Sequence, residues 1–328
     1  MRLPTPAAVP PATPAAVPPA TQARPGLLGL ILPTLPQGGP PPDAGDLARL
    51  CRAAEVAGAS TLWACDHVFW HGPVLECLTA LTVASTATEG AALGSCVLQL
   101  PLRRTSVVAK QAAALHHLSG GRLLLGVGVG SHAGEYEAAG IAFADRGRLL
   151  DAGIDTLRAL WSEPDELTRY GQRPAPGSGL PIWVGGSSEA ARRRAARHGD
   201  GWIPLFVAVD EYGEALGRLD EEAERAGRDP TAITRAITVF VSVGGPDAAE
   251  RGACWMGSMY GLPPKAFARH LVSGTARHCA RQLERWFEAG AGHVAVYMTT
   301  DDPLVQFEDL SGELAGVVTS SPGRFQGD

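Results

Sequence analysis

The sequence predicts an α/β protein of the (β/α)8 TIM-barrel class with insertions. Three observations support this prediction. Eight apolar segments alternate with helical segments, the strands are continuous apolar runs as in a parallel sheet covered on both faces, and one form of helix-to-strand joint recurs. In that joint a helix stops at glycine shortly before a buried strand, as in EVAGASTLWAC, RHGDGWIPL and EAGAGHVAVYM. Eight such units over about 290 residues suit a barrel, whereas a doubly wound sheet, the alternative, would be unusually long.

The individual elements follow from periodicity and from the residues that end them. The segment 46–59 places apolar residues such as Leu47 and Ala54 on one helical face. Gly58 ends that helix as a C′ glycine does. The predicted strands are 27–32, 60–65, 91–98, 122–128, 181–186, 201–205, 234–243 and 293–298. The predicted helices are 46–59, 75–88, 105–119, 146–161, 187–199, 210–226, 275–289 and 302–316. We expect the longer connection 244–272 to be partly helical.

Composition limits the classes of function. The 328 residues are 45% apolar with a net charge of −6, so the chain can bury a large core. The densest basic run, Arg192 to Arg194, is too short to follow a nucleic-acid backbone. No apolar stretch approaches the ~20 residues that cross a bilayer. The six cysteines show no C-x-x-C or zinc spacing, which points to a reducing, cytoplasmic compartment.

Both ends of the chain are predicted to lie outside the folded domain, which we place at 26–316. Residues 1–25 hold eight prolines and a direct repeat of TPAAVPPA. That composition excludes helix and sheet ladders and indicates a disordered tail, with a proline-rich docking arm as the alternative. The segment lacks the apolar region of a secretory signal. Residues 317–328 are predicted to form a C-terminal tail.

Polar residues follow the carboxyl ends of the predicted strands, where barrel enzymes place their sites. Asp66 and His67 end the second strand, and a histidine there can exchange a proton near neutral pH. Asp66 can orient His67 or bind a ring amide of a cofactor. The alternative is an ordinary exposed loop histidine. His71 suggests a metal pair, but no third ligand has suitable spacing, so we expect no metal.

The fourth strand ends in GVGVG, with glycines at positions 126, 128 and 130. This spacing is not the G-x-G-x-x-G of a dinucleotide loop, and the run does not follow a first strand. We expect instead that these glycines let the backbone approach a flat ligand closely.

A second glycine-rich strand end is the better candidate for a phosphate site. Gly185 and Gly186 finish the fifth strand, and Ser187 and Ser188 can cap the next helix. The N-terminus of a helix presents free N–H groups to an anion. The arginines 192–194 either neutralise the charge of the anion or are solvated. An ordinary capped helix is the alternative.

Five stretches occur together in a familiar order. They are STLWACDHV, LGSCVLQLPLRRTSVVAKQAAALHHLSGGRLLLGVGVG, EYEAAGIAFADRGRLLDAGIDTLRALW, LPIWVGGSSEAARRRAARHGDGW and GTARHCARQLERWFEAGAGHVAVYM. Over about residues 26–316 the chain resembles the luciferase-like monooxygenase family, and most closely its F420-dependent oxidoreductase branch, which is common in actinobacteria. The resemblance implies a bacterial luciferase-like TIM-barrel catalytic domain that binds coenzyme F420, or alternatively FMN, at its mouth. It also implies a homodimer.

The resemblance implies roles for individual residues. The cofactor ring would rest on a bulge at Cys96 and Val97, often with a non-proline cis peptide. Asp66 would contact the ring, and His67 would exchange a proton. Ser131 replaces an acidic residue that the sugar-phosphate dehydrogenases of this branch carry, so that substrate is not implied. The other implied cofactor contacts are Gly128, Val129, Gly130, Ser131, Gly185, Gly186 and Ser187.

We therefore expect hydride transfer between F420 and a small organic substrate with a C=C, C=N or C=O group or an alcohol. Substrate contacts are expected from Trp70 and from the 250–265 segment, unless the latter only packs the insertion against the barrel. The residues concerned there are Trp255, Met256, Met259 and Tyr260. The alternatives are an FMN-dependent monooxygenase served by a separate flavin reductase, a non-catalytic flavin-binding member, and a metal-dependent hydrolase.

Overall fold

The computed structural model describes residues 27–162, 176 and 179–320. Parallel strands pair in the order β10-β1-β2-β3-β5-β6-β7-β8, and β8 also pairs with β10, so the sheet closes on itself. The closure confirms the predicted (β/α)8 barrel and excludes the doubly wound sheet. The strands are β1 (Leu27–Ile31), β2 (Thr61–Ala64), β3 (Ala92–Ser95), β4 (Leu98–Gln99), β5 (Leu123–Gly128), β6 (Ile182–Gly185), β7 (Gly201–Ile203), β8 (Thr234–Val243), β9 (Leu271–Gly274) and β10 (His293–Met298).

Helices cover the outside of the barrel. All the predicted helices are present, with ends that differ by a few residues. The helices are α1 (Ala44–Val56), α2 (Cys77–Ala87), α3 (Thr105–Leu118), α4 (Ala133–Ala138), α5 (Arg146–Trp161), α6 (Glu189–His198), α7 (Val209–Arg225), α8 (Ala248–Tyr260), α9 (Ala276–Glu288) and α10 (Leu304–Ser320). The last helix continues beyond its predicted end at 316 to Ser320, and the rest of the tail predicted at 317–328 lies outside the described residues. The tail predicted at 1–25 and most of the loop 164–180 lie outside the described residues.

The predicted third strand, 91–98, is interrupted. Its first part, β3, pairs with β2 and β5, and its second part, β4, pairs with the end of β5. Between them lies the peptide that joins Cys96 to Val97, which is cis. The non-proline cis peptide that the family resemblance implied at this bulge is therefore present.

The connection 244–272 is partly helical, as expected, and it also adds a strand. It contains α8, a 3-10 segment at Pro264–His270 and the strand β9. The pairing of β8 changes along its length: β7 pairs with its beginning, and β9 pairs with its end from Phe240 onward. β7 and β9 thus pair with the same side of β8, at different positions along that strand.

The lower part of the barrel interior is filled by aromatic side chains. The rings of Trp63 and Trp183 lie 5.4 Å apart, and both contact His293 edge-on. A Cβ on Gly201 would come within 2.6 Å of the Trp183 ring, and one on Gly94 would overlap the Trp63 ring, so neighbouring strands need glycine there. Burial lowers the pKa of His293 to about 4, so this histidine is neutral. These side chains form a packed floor, so the barrel interior is filled below its carboxyl end.

None of the helices in the described part of the chain combines the length and apolar character that crossing a bilayer requires.

Candidate functional site

The carboxyl ends of β2, β4 and β5 bring a histidine and a carboxylate together. His67 Nδ1 lies 2.9 Å from Glu135 Oε2. The Glu135 side chain is fully buried, whereas the side chain of His67 remains 20% exposed. Glu135 is carried by α4, a short helix that follows the β5 glycines and that the sequence did not predict. The ring of His67 is therefore anchored from inside the protein and open toward the barrel mouth.

Glu135 is held as an ionised carboxylate by the groups around it. Its Oε1 accepts hydrogen bonds from the backbone N–H groups of Val68 at 3.0 Å and Phe69 at 3.1 Å. Its Oε2 accepts a hydrogen bond from Gln99 Nε2 at 3.1 Å. Burial alone would raise the pKa of Glu135, but the hydrogen bonds from His67, Phe69 and Gln99 outweigh burial and hold that pKa below its ordinary value.

This arrangement determines which nitrogen of His67 is available for chemistry. Gln99 Nε2 lies 3.1 Å from His67 Nδ1 but already donates to the backbone oxygen of Asp66 at 3.0 Å and to Glu135. The ionised carboxylate is the stronger partner for Nδ1, and it favours a proton there. Among the described residues nothing hydrogen-bonds Nε2. The Nε2 atom is thus free to exchange a proton at the mouth of the barrel.

Asp66 does not orient His67, although that was one of its two expected roles. Both of its oxygens receive the Arg103 guanidinium, at 2.7 and 2.8 Å, and Oδ2 also accepts from the backbone N–H of Gln99 at 2.9 Å. Burial raises the pKa of Asp66, and the Arg103 charge opposes that rise. The buried pair fixes the chain between β2 and β4. The expected contact of Asp66 with a cofactor ring remains a prediction.

One group of side chains in the described residues could in principle hold a metal: Asp66, Glu76 and Cys77. The Arg103 guanidinium already lies among them, 3.6 Å from Glu76 and paired with Asp66. Burial also raises the pKa of the Cys77 thiol well above its ordinary value. A guanidinium therefore supplies the positive charge here.

Trp70 covers one face of the His67 ring. The two ring centres are 3.8 Å apart at an angle of 30°. Trp70 also contacts His71 at 4.5 Å and His132 at 5.6 Å. It is partly exposed, so its expected role in lining a substrate pocket fits its location beside His67 and stays a prediction.

Side chains of the protein pack closely on the glycines at the ends of β5 and β6. A Cβ on Gly128 would lie 2.5 Å from a methyl carbon of Val97, and a Cβ on Gly185 would lie 2.7 Å from the other. Gly130 adopts φ +67°, and a Cβ there would overlap Gln99 Oε1. Val97 and Gln99 therefore require glycine at these positions. The expected close approach of these glycines to a flat ligand, and their backbone contacts with a cofactor, remain predictions.

The start of α6 has the form of an anion site. Ser188 caps the helix by accepting a hydrogen bond from the backbone N–H of Ala191 at 3.2 Å. Ser187 is exposed rather than capping, and Gly186 adopts φ +106°, which favours glycine. Free N–H groups of the first turn face solvent there. Glu189 adds a negative charge to the same turn and pairs with Arg193.

The arginine run of α6 does not serve this anion site. Arg192 and Arg194 are buried and pair with Glu222 and Asp151. They hold α6 against the neighbouring helices α7 and α5. Both readings of these two residues, charge neutralisation or solvation, were wrong, because the pattern RRR does not reveal carboxylates on other helices.

The insertion residues separate into two kinds. Met256 and Met259 are buried in an aromatic cluster at the barrel mouth, with Met259 only 2% exposed. Trp255 is partly exposed and contacts Tyr297 at 5.4 Å, and Tyr260 contacts Phe267 at 5.5 Å. Packing, the alternative, therefore accounts for the two methionines. Trp255 and Tyr260 remain candidates for substrate contact.

Three buried polar atoms at the mouth have no hydrogen-bond partner among the described residues. They are Thr34 Oγ1, Gln99 Oε1 and the Tyr297 hydroxyl, and they follow or end β1, β4 and β10. An unpartnered buried polar group is costly. A ligand bound at this end of the barrel would supply the missing partners.

Sequence reasoning assigned no role in the site to Glu135, Gln99 or Arg103. The signal for Glu135 is a carboxylate soon after a strand-end glycine loop, and that for Gln99 is a polar residue within the apolar run CVLQLP. Both signals are weak, because they acquire meaning only when β2, β4 and β5 lie side by side.

The chain is similar in sequence to known proteins. The family model described as luciferase-like monooxygenase matches residues 27–259. An uncharacterized protein of Mycobacterium tuberculosis is 32% identical over 55% of this chain and 72% of its own length. A phthiodiolone/phenolphthiodiolone dimycocerosates ketoreductase of the same species is 29% identical over 67% of this chain and 68% of its own length.

Solved structures share the fold at low sequence identity. An F420-dependent secondary alcohol dehydrogenase in complex with an F420–acetone adduct has a TM-score of 0.76 at 20% identity, covering 89% of this chain and 99% of its own. The FMN complex of the oxygenating constituent of 3,6-diketocamphane monooxygenase from Pseudomonas putida has a TM-score of 0.69 at 18% identity, covering 89% and 98%.

Proposed function

Because the chain belongs to the luciferase-like monooxygenase family, a family of oxidoreductases, we propose that it transfers a hydride between coenzyme F420 and a small carbonyl compound or secondary alcohol. The observation that carries the proposal is the His67–Glu135 pair, which leaves Nε2 of His67 open at the barrel mouth. A proton must accompany the hydride when a carbonyl is reduced to an alcohol. Two similar proteins point the same way, since one is named a ketoreductase and the other a secondary alcohol dehydrogenase.

The residues at the mouth fit a deazaflavin. The unpartnered Thr34 Oγ1, Gln99 Oε1 and Tyr297 hydroxyl offer hydrogen bonds to a polar ring edge. The free N–H groups beside Gly186 and Ser187 suit a phosphate. The same groups would also suit FMN. The identity of the cofactor is therefore tested directly by binding.

When bound, F420 would supply or accept the hydride. Nε2 of His67 would give a proton to the carbonyl oxygen, or take one from the alcohol in the reverse direction. The buried Glu135 carboxylate would stabilise the positive charge on the imidazole during that transfer, because charges interact strongly away from water. Trp70 would hold the plane of the His67 imidazole by packing against its face. Such a positioned acid–base group contributes about 10²- to 10⁴-fold in rate.

Substitution of His67 tests the proposal. We expect the purified protein to reoxidise reduced F420 with simple ketones, followed by absorbance, and His67→Ala to lose about 100-fold or more of that rate. His71→Ala is the matched control, since His71 is exposed, contacts the same Trp70, and should retain the rate. An unchanged rate in His67→Ala with cofactor still bound would refute the role of His67.

We further propose a homodimer acting in the cytoplasm on small-molecule substrates. All six cysteines are free thiols, which supports a reducing compartment. Val107 and Leu118 on α3 are 53% and 68% exposed, and their spacing of three helical turns places them on one face. That apolar face supports association between copies.

A further inference from the structure

A cavity lies in the side of the barrel, which we call the lateral cavity. Its volume is about 660 Å³, within the range of small-molecule sites. It opens where β8 changes its pairing partner from β7 to β9. The helix α9 and the segment after β7 form its other walls. His67, Glu135, Gln99 and Trp70 are not among the residues that line it.

One wall of the lateral cavity is apolar. Val239 of β8 and Trp286 of α9 line it, together with Phe206. The Phe206 backbone has φ +60°, which a bulky residue seldom adopts. Its ring packs on Phe240, 5.6 Å away, and on His270, 5.3 Å away. This wall suits the flat apolar body of a ligand.

The face of α9 next to Trp286 is polar and carries a guanidinium. His278, Gln282 and Arg285 follow each other at i, i+4 and i+7 on α9 and so share one face; all three line the cavity. Arg285 donates to Gln282 Oε1 at 3.2 Å. No carboxylate in the described residues pairs with it. An exposed guanidinium facing a cavity without an acidic partner is a site for an anion.

The charged groups around the cavity are Arg285, Asp210 and the pair of Arg269 with Glu211. Among the described residues no ion pair joins Asp210 to Arg285, so the Arg285 guanidinium has no carboxylate partner of its own. His270 Nδ1 is buried without a hydrogen-bond partner among the described residues. Arg285 is therefore the cation of the lining that is available to a ligand.

We propose that the lateral cavity binds a small organic carboxylate. The carboxylate pairs with Arg285 beside His278 and Gln282, and the apolar body lies against Trp286 and Val239. This site is independent of the proposed hydride transfer, and its occupant is not the cofactor or the reacting substrate.

Calorimetric titration of the whole protein with phenylacetate, without cofactor, tests the proposal. Phenylacetamide is the neutral probe of the same shape. We expect saturable binding of phenylacetate, at least about tenfold weaker binding of the amide, and a similar loss for phenylacetate in Arg285→Gln, as removal of one charge-assisted hydrogen bond predicts.

Arg281→Gln is the matched control, because Arg281 is exposed on the same helix and does not line the cavity. It should bind phenylacetate as the unmodified protein does. The proposal is overturned if phenylacetate shows no saturable binding, if the amide binds equally well, or if Arg285→Gln and Arg281→Gln behave alike. Because no cofactor or turnover is involved, these outcomes are separate from failure of the proposed function.

Discussion

His67 and Glu135 form a pair in which one partner is removed from water and the other is not. The carboxylate has four hydrogen-bond donors within 3.1 Å, so it keeps its charge and its position. The carboxylate orients the imidazole and favours the tautomer that carries its proton on Nδ1. The chemistry proposed for His67 therefore depends on a residue that itself never reaches the mouth of the barrel.

Replacement of Glu135 by glutamine should reduce turnover without loss of the fold. The amide keeps an acceptor for the Val68 and Phe69 N–H groups but presents N–H to His67 Nδ1, which moves the ring proton to Nε2. We expect kcat for ketone reduction to fall by about 100-fold, with the affinity for cofactor unchanged. Steady-state kinetics and a cofactor titration measure the two quantities.

Glu137→Gln is the control for that experiment, because Glu137 lies on the same short helix but is exposed. It should leave kcat unaltered. Equal kcat values in the two variants would contradict the positioning role of Glu135. A parallel loss of cofactor binding in Glu135→Gln would show a structural role instead.

The same carboxylate should make stability depend on pH. The pKa of Glu135 is held below its ordinary value of 4.5 in the folded protein, so folding favours the ionised form. Its contribution is present above pH 4.5 and is lost as the pH falls through the lower, folded-state pKa. The free energy of unfolding in urea, measured against Glu135→Gln from pH 7 to below pH 4.5, should show the difference between the two proteins shrinking in acid. A difference that grows in acid would have the wrong sign.

The sequence placed His67 correctly at the end of a strand, but it did not reveal that Glu135 is the partner of His67. Asp66 is adjacent in the chain, and orienting His67 was one of its two expected roles, yet its carboxylate pairs with Arg103. Which carboxylate meets which cation is decided by tertiary contacts over tens of residues, and local sequence does not contain them.

Among the elements, the break between β3 and β4 organises the mouth. It places Val97 against the ends of β5 and β6, where Gly128 and Gly185 leave room for it. Glycine in a strand interior otherwise costs stability, so its repeated use here indicates a packing requirement shared by three strands.

A double-mutant cycle tests that requirement. Gly185→Ala should destabilise the protein by about 1–3 kcal/mol, because its Cβ would overlap the Val97 side chain. In a Val97→Ala background the same substitution should cost much less. Gly217→Ala, in the middle of α7 with open space around it, should instead stabilise by about 0.5–1 kcal/mol. Chemical unfolding measures the unmodified protein and the four variants, and an equal cost of Gly185→Ala in both backgrounds would show that Val97 is not the neighbour concerned.

Element types were predictable because each βα unit repeats a strong local signal, a periodic helix that ends at glycine before an apolar strand. Features that depend on pairing were not. The run 91–98 is apolar throughout, and nothing local marks its interruption; β9 exists because the end of β8 needs a neighbour after β7 has ended.

For the whole molecule, the count of eight units led to the closed barrel, and closure placed the predicted strand ends at one face. The family resemblance then supplied an expectation that physical reasoning from one sequence did not, namely that of a flavin-type cofactor at that face. Neither the fold nor the match to the family distinguishes F420 from FMN as the cofactor, because proteins similar to this chain use each of them.

Equilibrium titration of the purified protein with F420 and with FMN tests the central claim most directly. We expect saturable binding of F420, at least about tenfold tighter than that of FMN. We also expect F420 binding to be weaker in Tyr297→Phe, which removes an unpartnered hydroxyl at the barrel mouth. Tight binding of FMN with no binding of F420 would contradict it and would favour a reduced-flavin monooxygenase.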